Sequence, residues 1–190
     1  MSGTSASIQL IDSALDLDRE TLPKRTRQVL NRGGWGNPDV LLVETPSGVV
    51  VVKDYSPRSP LVRRWFGPFM LRREARAYRR LRGIASVPRF LGNLDSLALV
   101  FEYRSGRFLS RSLAGKLPPD FLPNLQDAIA QMHGRGVVHL DLRHRSNILA
   151  GDDDRPVVLD FASALCGRIG VLLLGWLDRR ALQKWRIRLK

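Results

Sequence analysis

Two short aliphatic runs, Val40-Leu41-Leu42-Val43 and Val49-Val50-Val51-Val52, flank Thr45-Pro46-Ser47-Gly48. Four consecutive valines lose χ1 freedom in a helix but fit the pleated surface of a sheet. Pro, Ser and Gly between the runs supply turn chemistry, so the spacing predicts a hairpin and an antiparallel sheet early in the chain. The period then changes. Phe69 to Leu81 carries helical spacing, and Phe90-Leu91 and Leu97 to Tyr103 read as a strand pair around a turn at residues 93–96. Leu122, Leu125, Ile129 and Met132 recur at helical spacing until Gly134 and Gly136 stop the helix. Val137-Val138 and Val157-Val158-Leu159 are two further short strands. The order predicts an α+β protein, sheet-rich first and helix-rich second, joined near Arg104 to Gly106.

Apolar residues make up 44% of the 190-residue chain, enough for a real core, which excludes wholesale disorder. Lys and Arg number 31 against 18 Asp and Glu, a net charge of +13. That excess predicts attraction to an anionic partner: nucleic acid, a membrane surface or a phosphorylated substrate. One cysteine and three histidines exclude an internal disulfide framework and a Cys/His zinc cluster. The opening MSGTSASIQLIDSALDLDRE lacks the basic and apolar regions of a secretory signal, and residues 1–28 read as a loosely held polar arm. The longest apolar run, Ile169 to Leu177, has nine residues, too few to span a bilayer. A cytosolic chain is expected, with binding to a membrane surface open.

The segment His139-Leu140-Asp141-Leu142-Arg143-His144-Arg145-Ser146-Asn147 lies between two apolar strands, and Asp160-Phe161-Ala162 follows the second. Two carboxylates and an amide on adjacent loops suit divalent-metal and phosphate chemistry: one acid orients a hydroxyl, while the other acid and the amide oxygen hold Mg²⁺ against phosphates. An isolated Asp/Asn pair can equally cap a turn. Upstream, Lys53 ends the valine strand, and Leu71, Glu74, Tyr78 and Leu81 share one helix face at 3–4–3 spacing. Glu74 is the only acid in that helix and sits on its apolar face, where an unpaired carboxylate is costly. Lys53 is the natural partner, unless the helix is rotated to leave Glu74 solvated.

The stretch MHGRGVVHLDLRHRSNIL…VVLDFA resembles the catalytic and metal-binding loops of the protein-kinase-like superfamily. The resemblance implies a bilobal fold with a shortened C-terminal lobe: an arm over 1–28, an N-lobe over 29–103 and a reduced C-lobe over 104–190. It assigns Asp141 as the catalytic base, Arg143 as a phosphate contact, and Asn147 and Asp160 as Mg²⁺ ligands. Lys53 and Glu74 resemble the ion pair that positions ATP phosphates. Gly33-Gly34-Trp35-Gly36 corresponds to a degenerate glycine-rich cover, for which an ordinary turn is the equal alternative. Leu99 to Tyr103 resembles the hinge between lobes, with Glu102 and Tyr103 beside adenine and Phe101 behind it.

Departures from the pattern narrow the resemblance. Asp141 to Asn147 spans six positions, one more than usual, so the loop needs a bulge. Leu140 replaces the arginine that commonly binds a phosphorylated activation loop, which argues against that form of control. Ala162 stands where glycine is usual. The 28 residues after Ala162 are too few for the helical lobe that docks peptide substrates. RREARAYRRL, VPRF, HLDLRHRSNIL and LDRRALQKWRIRLK look most like the small bacterial lipopolysaccharide kinases of the Kdo/heptose kinase group, with RIO-type protein kinases as rival. The implied activity is ATP- and Mg²⁺-dependent phosphorylation of a hydroxyl on a lipopolysaccharide core sugar. A pseudokinase acting as a nucleotide-binding scaffold is the competing class.

Between Arg63 and Arg82 stand eight arginines and one acid, and Arg179, Arg180, Lys184, Arg186, Arg188 and Lys190 crowd the last segment. With Leu182, Trp185 and Leu189 interleaved, that segment reads either as a basic amphipathic helix at an anionic membrane surface or as a final helix packed on the second lobe. The expected partners are ATP, an anionic lipid-linked saccharide and the inner face of the cytoplasmic membrane. Nucleic acid is not expected, because no stacking platform or groove-reading motif accompanies the charge.

Overall fold

The computed structural model describes residues 16–189. The chain is an α+β protein of two compact units. One comprises the residues up to Ala75 together with Arg89–Tyr103, the other Arg76–Pro88 and the residues from Arg104 onward. The chain passes from the first unit to the second after Tyr103. The chain also changes unit at Ala75 and at Pro88, so residues 76–88 belong with the helix-rich unit.

The first unit is built on a five-stranded antiparallel sheet of β1 (Thr26–Asn31), β2 (Asp39–Thr45), β3 (Gly48–Asp54), β4 (Phe90–Asn93) and β5 (Ala98–Glu102), in the order β1-β2-β3-β5-β4. The β2–β3 hairpin pairs Thr45 with Gly48 across a two-residue turn, and Gly48 adopts φ +118°, which its lack of a Cβ permits. Side chains alternate along β3. Val50 and Val52 face a core shared with Val43, Ala98 and Val100, while Lys53 leaves from the opposite face.

Residues 17–28 correct the expectation of a loose arm; residues 1–15 lie outside the described residues. Leu17 and Leu22 are buried in the sheet core, Leu22–Arg25 is a helical turn (α1), and Thr26 already begins β1. Arg19 holds this segment to the sheet through Asp54 at 2.7 Å and Asp95 at 2.5 Å. Asp95 in turn accepts from the Leu97 N–H at 2.7 Å, and the pairing with Arg19 keeps its carboxyl below the ordinary range against the opposing effect of burial. Two leucines and one arginine anchor a stretch whose average composition is polar.

Helix α2 (Gly67–Arg80) starts earlier than its periodicity implies, because a π-helical stretch, Val62–Phe66, leads into it. Gly67 sits where a Cβ would lie 3.0 Å from the Tyr55 ring, so close backbone approach selects glycine there. Leu71, Glu74, Tyr78 and Leu81 are all buried, as the shared face requires.

The second unit packs α3 (Phe121–Gly134) and α4 (Arg168–Arg188) with two small antiparallel sheets. One holds β6 (Gly106–Phe108), β8 (Ile148–Gly151) and β9 (Pro156–Val158); the other pairs β7 (Val137–Val138) with β10 (Leu165–Cys166). Helix α3 ends at Gly134, and Gly136 follows at φ +71°. Phe121, Leu125, Ile129 and Met132 form its buried face.

Helix α4 joins the apolar run and the basic segment into one rod of 21 residues. Its buried face is Gly175, Asp178, Ala181, Leu182 and Trp185, with Leu189 beyond the helix end also buried. Trp185 is 2% exposed and its indole N–H donates to the Leu142 carbonyl at 2.8 Å. Leu182, Trp185 and Leu189 are therefore core side chains and not membrane contacts, which settles the two readings of this segment in favour of packing. Among the described residues, no helix is long and apolar enough to cross a membrane. Trp185→Ala and Leu182→Ala are each expected to lower unfolding free energy by about 2–5 kcal/mol, and Trp185→Phe by about 1 kcal/mol for the lost hydrogen bond. Denaturant titration reads this directly; variants as stable as the parent would return the helix to the surface.

Candidate active site

In the first unit, the cation and the acid singled out on β3 and α2 meet: Lys53 Nζ lies 2.6 Å from Glu74 Oε1. Both residues are buried, and the ammonium stands 6.0 Å from the centre of the Phe101 ring. Phe101 stacks on Phe90 at 5.7 Å. A buried ion pair of this kind gives a fixed positive group whose orientation depends on its partner. Glu102 is tied down by Arg89, whose N–H donates to its carboxylate at 2.9 Å, while its own N–H donates to the Arg89 carbonyl at 2.9 Å. Tyr103, immediately after β5, is 38% exposed.

The glycine segment is braced by two residues that pattern reading did not single out, Asp39 and Arg58. Gly33 N–H donates to Asp39 Oδ1 at 2.9 Å, Arg58 donates to the Gly33 carbonyl at 2.7 Å, and Arg58 also pairs with Asp39. Gly33 is required sterically: a Cβ there would meet the Asn37 carbonyl oxygen at 2.1 Å. Gly34 has open space around it, and Gly36 lies against the Phe66 ring.

In the second unit, the loop from His139 to Asn147 is held from beneath by Asp178 of α4, another residue not singled out in advance. Asp178 is 1% exposed; its carboxylate accepts from the backbone N–H of His139 at 2.8 Å and of Leu140 at 2.9 Å, and pairs with His133 Nε2 at 3.0 Å. Gly175, one turn earlier, allows this approach, since a Cβ there would lie 3.2 Å from the His133 ring. Leu140 adopts φ +70°, an unfavourable conformation for a residue with a Cβ, and its bond to Asp178 secures it.

His139 is fully buried and stacks on Phe161 at 4.7 Å, with Tyr78 edge-on to the same ring at 4.9 Å. Its Nε2 lies 2.8 Å from the Leu159 carbonyl oxygen and its Nδ1 3.3 Å from the Asp141 N–H. A carbonyl only accepts and an amide N–H only donates, so the ring is neutral with its proton on Nε2. Burial holds its pKa below the ordinary 6.5 despite the Leu159 carbonyl and the nearby aspartates, which act the other way.

The long Asp141–Asn147 spacing is absorbed by turns at His144 and by the 3₁₀ turn Arg145–Asn147. Asn147 is buried, and its amide nitrogen donates to the Asp141 carbonyl and to Asp141 Oδ2, both at 2.9 Å. The Asn147 carbonyl accepts from Leu159 N–H at 2.8 Å, one residue before Asp160. Asp160 has φ +60°, and its carboxylate accepts from the Ala162 N–H at 3.3 Å. The structure thus joins Asp141 and Asn147 directly and links Asp160 to them through the backbone. Arg143 is exposed, and together with Arg188 and Arg180 it lowers the pKa of Lys184 on α4, Arg188 having the largest effect.

No family model matches the chain. The probable SapB synthase of Streptomyces coelicolor is 33% identical over 115 residues, which cover 50% of this chain. The chain spans 12% of the length of that protein.

Two consequences follow from the buried groups. Because the folded pKa of His139 is lowered, the unfolded chain takes up this proton first. The contribution of His139 is whole above the ordinary value of 6.5 and declines as pH falls from there toward the lowered one. Thermal or denaturant unfolding across pH 7 to 5 is expected to show this loss, and His139→Phe to flatten it; an unchanged slope would assign the titration elsewhere. Asp178→Ala leaves buried N–H donors unsatisfied and is expected to cost about 2–4 kcal/mol, measured by the same unfolding experiment.

Proposed function

We propose that the protein is a phosphotransferase that moves the γ-phosphoryl group of ATP to a hydroxyl of a lipid-linked anionic saccharide, a lipopolysaccharide core sugar, at the cytoplasmic face of the membrane. The observation that carries this reading is the buried frame of the Asp141–Asn147 loop, in which Asn147 bonds Asp141 and Asp178 holds the backbone N–H groups just before it. Asp141 has one carboxylate oxygen engaged by Asn147, which fixes the orientation of the group. In transfer, Asp141 accepts the proton of the acceptor hydroxyl as that oxygen bonds to the γ-phosphorus. The bond between that phosphorus and the β–γ bridging oxygen breaks, and ADP leaves. Lys53, held by Glu74, positions phosphate oxygens, and Arg143 adds positive charge for the phosphate or the anionic acceptor.

The donor set fits Mg²⁺. Asn147 donates through its nitrogen to Asp141, leaving its amide oxygen end, with one bond from Ser146 at 3.2 Å, as a further acceptor beside a carboxylate. Mg²⁺ is commonly bound by one or two protein side chains together with phosphates and water. Asn147 and Asp160 would hold it, and when bound it supplies charge neutralisation on the phosphates. Lys184, Arg180 and Arg188 support an anionic acceptor by adding positive field near Arg143.

Transfer of labelled γ-phosphate from ATP to core oligosaccharide tests the reading. Asp160→Asn is expected to abolish Mg²⁺-dependent transfer. Asp141→Ala should keep ATP binding and lower turnover by roughly 10²–10⁴-fold. Lys53→Met should weaken productive ATP binding. Wild-type turnover in both aspartate variants would remove the assignment of the loop, and ATP binding without transfer to any acceptor would favour a nucleotide-binding scaffold.

A further inference from the structure

Leu61, Trp65 and Phe69 follow one another at four-residue spacing along the π-helical entry and first turn of α2, and they are 73%, 67% and 61% exposed. Such spacing places them on one stripe of the helix surface. Phe66 widens the stripe, and the Trp35 ring, 77% exposed at the tip of the glycine segment, stands 6.3 Å from it. Exposed apolar clusters of this kind mark interaction surfaces. Arg63, Arg64 and Arg72 rim the stripe and are exposed, with the Arg64 guanidinium 5.6 Å from the Trp65 ring. From Tyr55 to Leu94 the sequence contains one acid, Glu74, and that carboxylate is buried against Lys53.

We propose that this stripe docks on the surface of an anionic lipid bilayer, with Leu61, Trp65, Phe69 and Trp35 entering the headgroup boundary and the arginines meeting lipid phosphates. Charge decides the occupant. A second copy would bring the same arginines face to face, and a neutral apolar partner would leave them uncompensated. An anionic interface satisfies both halves of the pattern, because tryptophan and arginine each have an apolar body and a polar end suited to that depth. A shallow open depression lined by Pro60, Arg63, Arg64, Ser96 and Leu97 borders these arginines. The docking helix is therefore the start of α2 and not the basic C-terminal half of α4, whose Leu182 and Trp185 are buried. The inference rests on the membrane-surface part of the proposed function and not on phosphoryl transfer.

Co-sedimentation of the full chain with vesicles of phosphatidylcholine alone, or mixed with phosphatidylglycerol, tests it. Binding is expected only to the mixed vesicles, and it should weaken as salt rises. L61S/W65S/F69S and R63Q/R64Q/R72Q should each reduce the bound fraction about tenfold or more. L172S/L173S/W176S, on the exposed apolar residues of α4, should bind like the parent. Brominated acyl chains should quench tryptophan fluorescence of the parent, and less so in Trp65→Phe, a readout that does not depend on how the triple variants fold. Equal binding to both vesicle types, or parent-like binding by the stripe variants, overturns the proposal. So does a dimer in sedimentation velocity that L61S/W65S/F69S dissolves. Asp160→Asn should lose transfer and keep vesicle binding, so failure of docking and failure of the catalytic reading give different results.

Discussion

A single carboxylate inside α4 holds the loop that carries the candidate chemistry. Asp178 is removed from water at a cost that hydrogen bonds must offset, and it obtains them from two successive backbone N–H groups and a histidine ring nitrogen. Those two N–H groups belong to His139 and Leu140, so the same bonds that satisfy the carboxylate also secure the left-handed turn at Leu140. From there the constraint passes along the chain. His139 reaches the Leu159 carbonyl, Asp141 emerges next to Leu140, and Asn147 bridges back to Asp141. An apolar residue at 178 could fill the space, but the loop's donors would then have no acceptor and its backbone no reason to hold its strained form.

The first unit uses the same device with different partners. Glu74, also alone among arginines, turns inward to Lys53, and Asp39 turns inward to Arg58 and Gly33. In each case an acid that could have balanced surface charge is committed to positioning a polar group in the interior. The net charge of +13 is partly a consequence of this: along α2 and α4 the acids are inside and the bases remain outside. Positive surface and ordered interior are two results of one arrangement.

Local patterns were legible in the sequence. The valine hairpin, the shared face of α2 and the pairing of Glu74 with Lys53 all follow from periodicity and from the cost of an unpaired buried acid. Long-range partners were not. Asp39 and Arg58 lie 19 residues apart and reveal their pairing only when β2 and the loop after β3 come together. Leu17 and Leu22 stood in a polar stretch whose average hid two apolar anchors. Asp178 is the instructive miss, because the rule applied to Glu74 applies to it unchanged. It is the only acid after Phe161, and Gly175, Asp178, Ala181, Leu182 and Trp185 fall on one face at three- and four-residue steps. Six basic residues in the same segment dominate its composition and mask the single acid among them.

Helical phase then decides what remains for the exterior. With Asp178, Leu182 and Trp185 turned into the second unit, α4 cannot lend those side chains to any other surface without releasing the loop they support. Apart from Ile187 near its end, its exposed large apolar residues, Ile169, Leu172, Leu173 and Trp176, lie in the first half of the rod, where the sequence from Ile169 to Leu177 contains no charged residue. At the start of α2 the situation is reversed, since Arg63 and Arg64 stand between Leu61 and Trp65, and Arg72 follows Phe69 by three residues. An apolar face without charge is indifferent to the sign of what covers it, whereas one interleaved with arginine favours an anionic partner and disfavours a cationic one. The two exposed faces therefore differ in selectivity, although their apolar side chains are much alike.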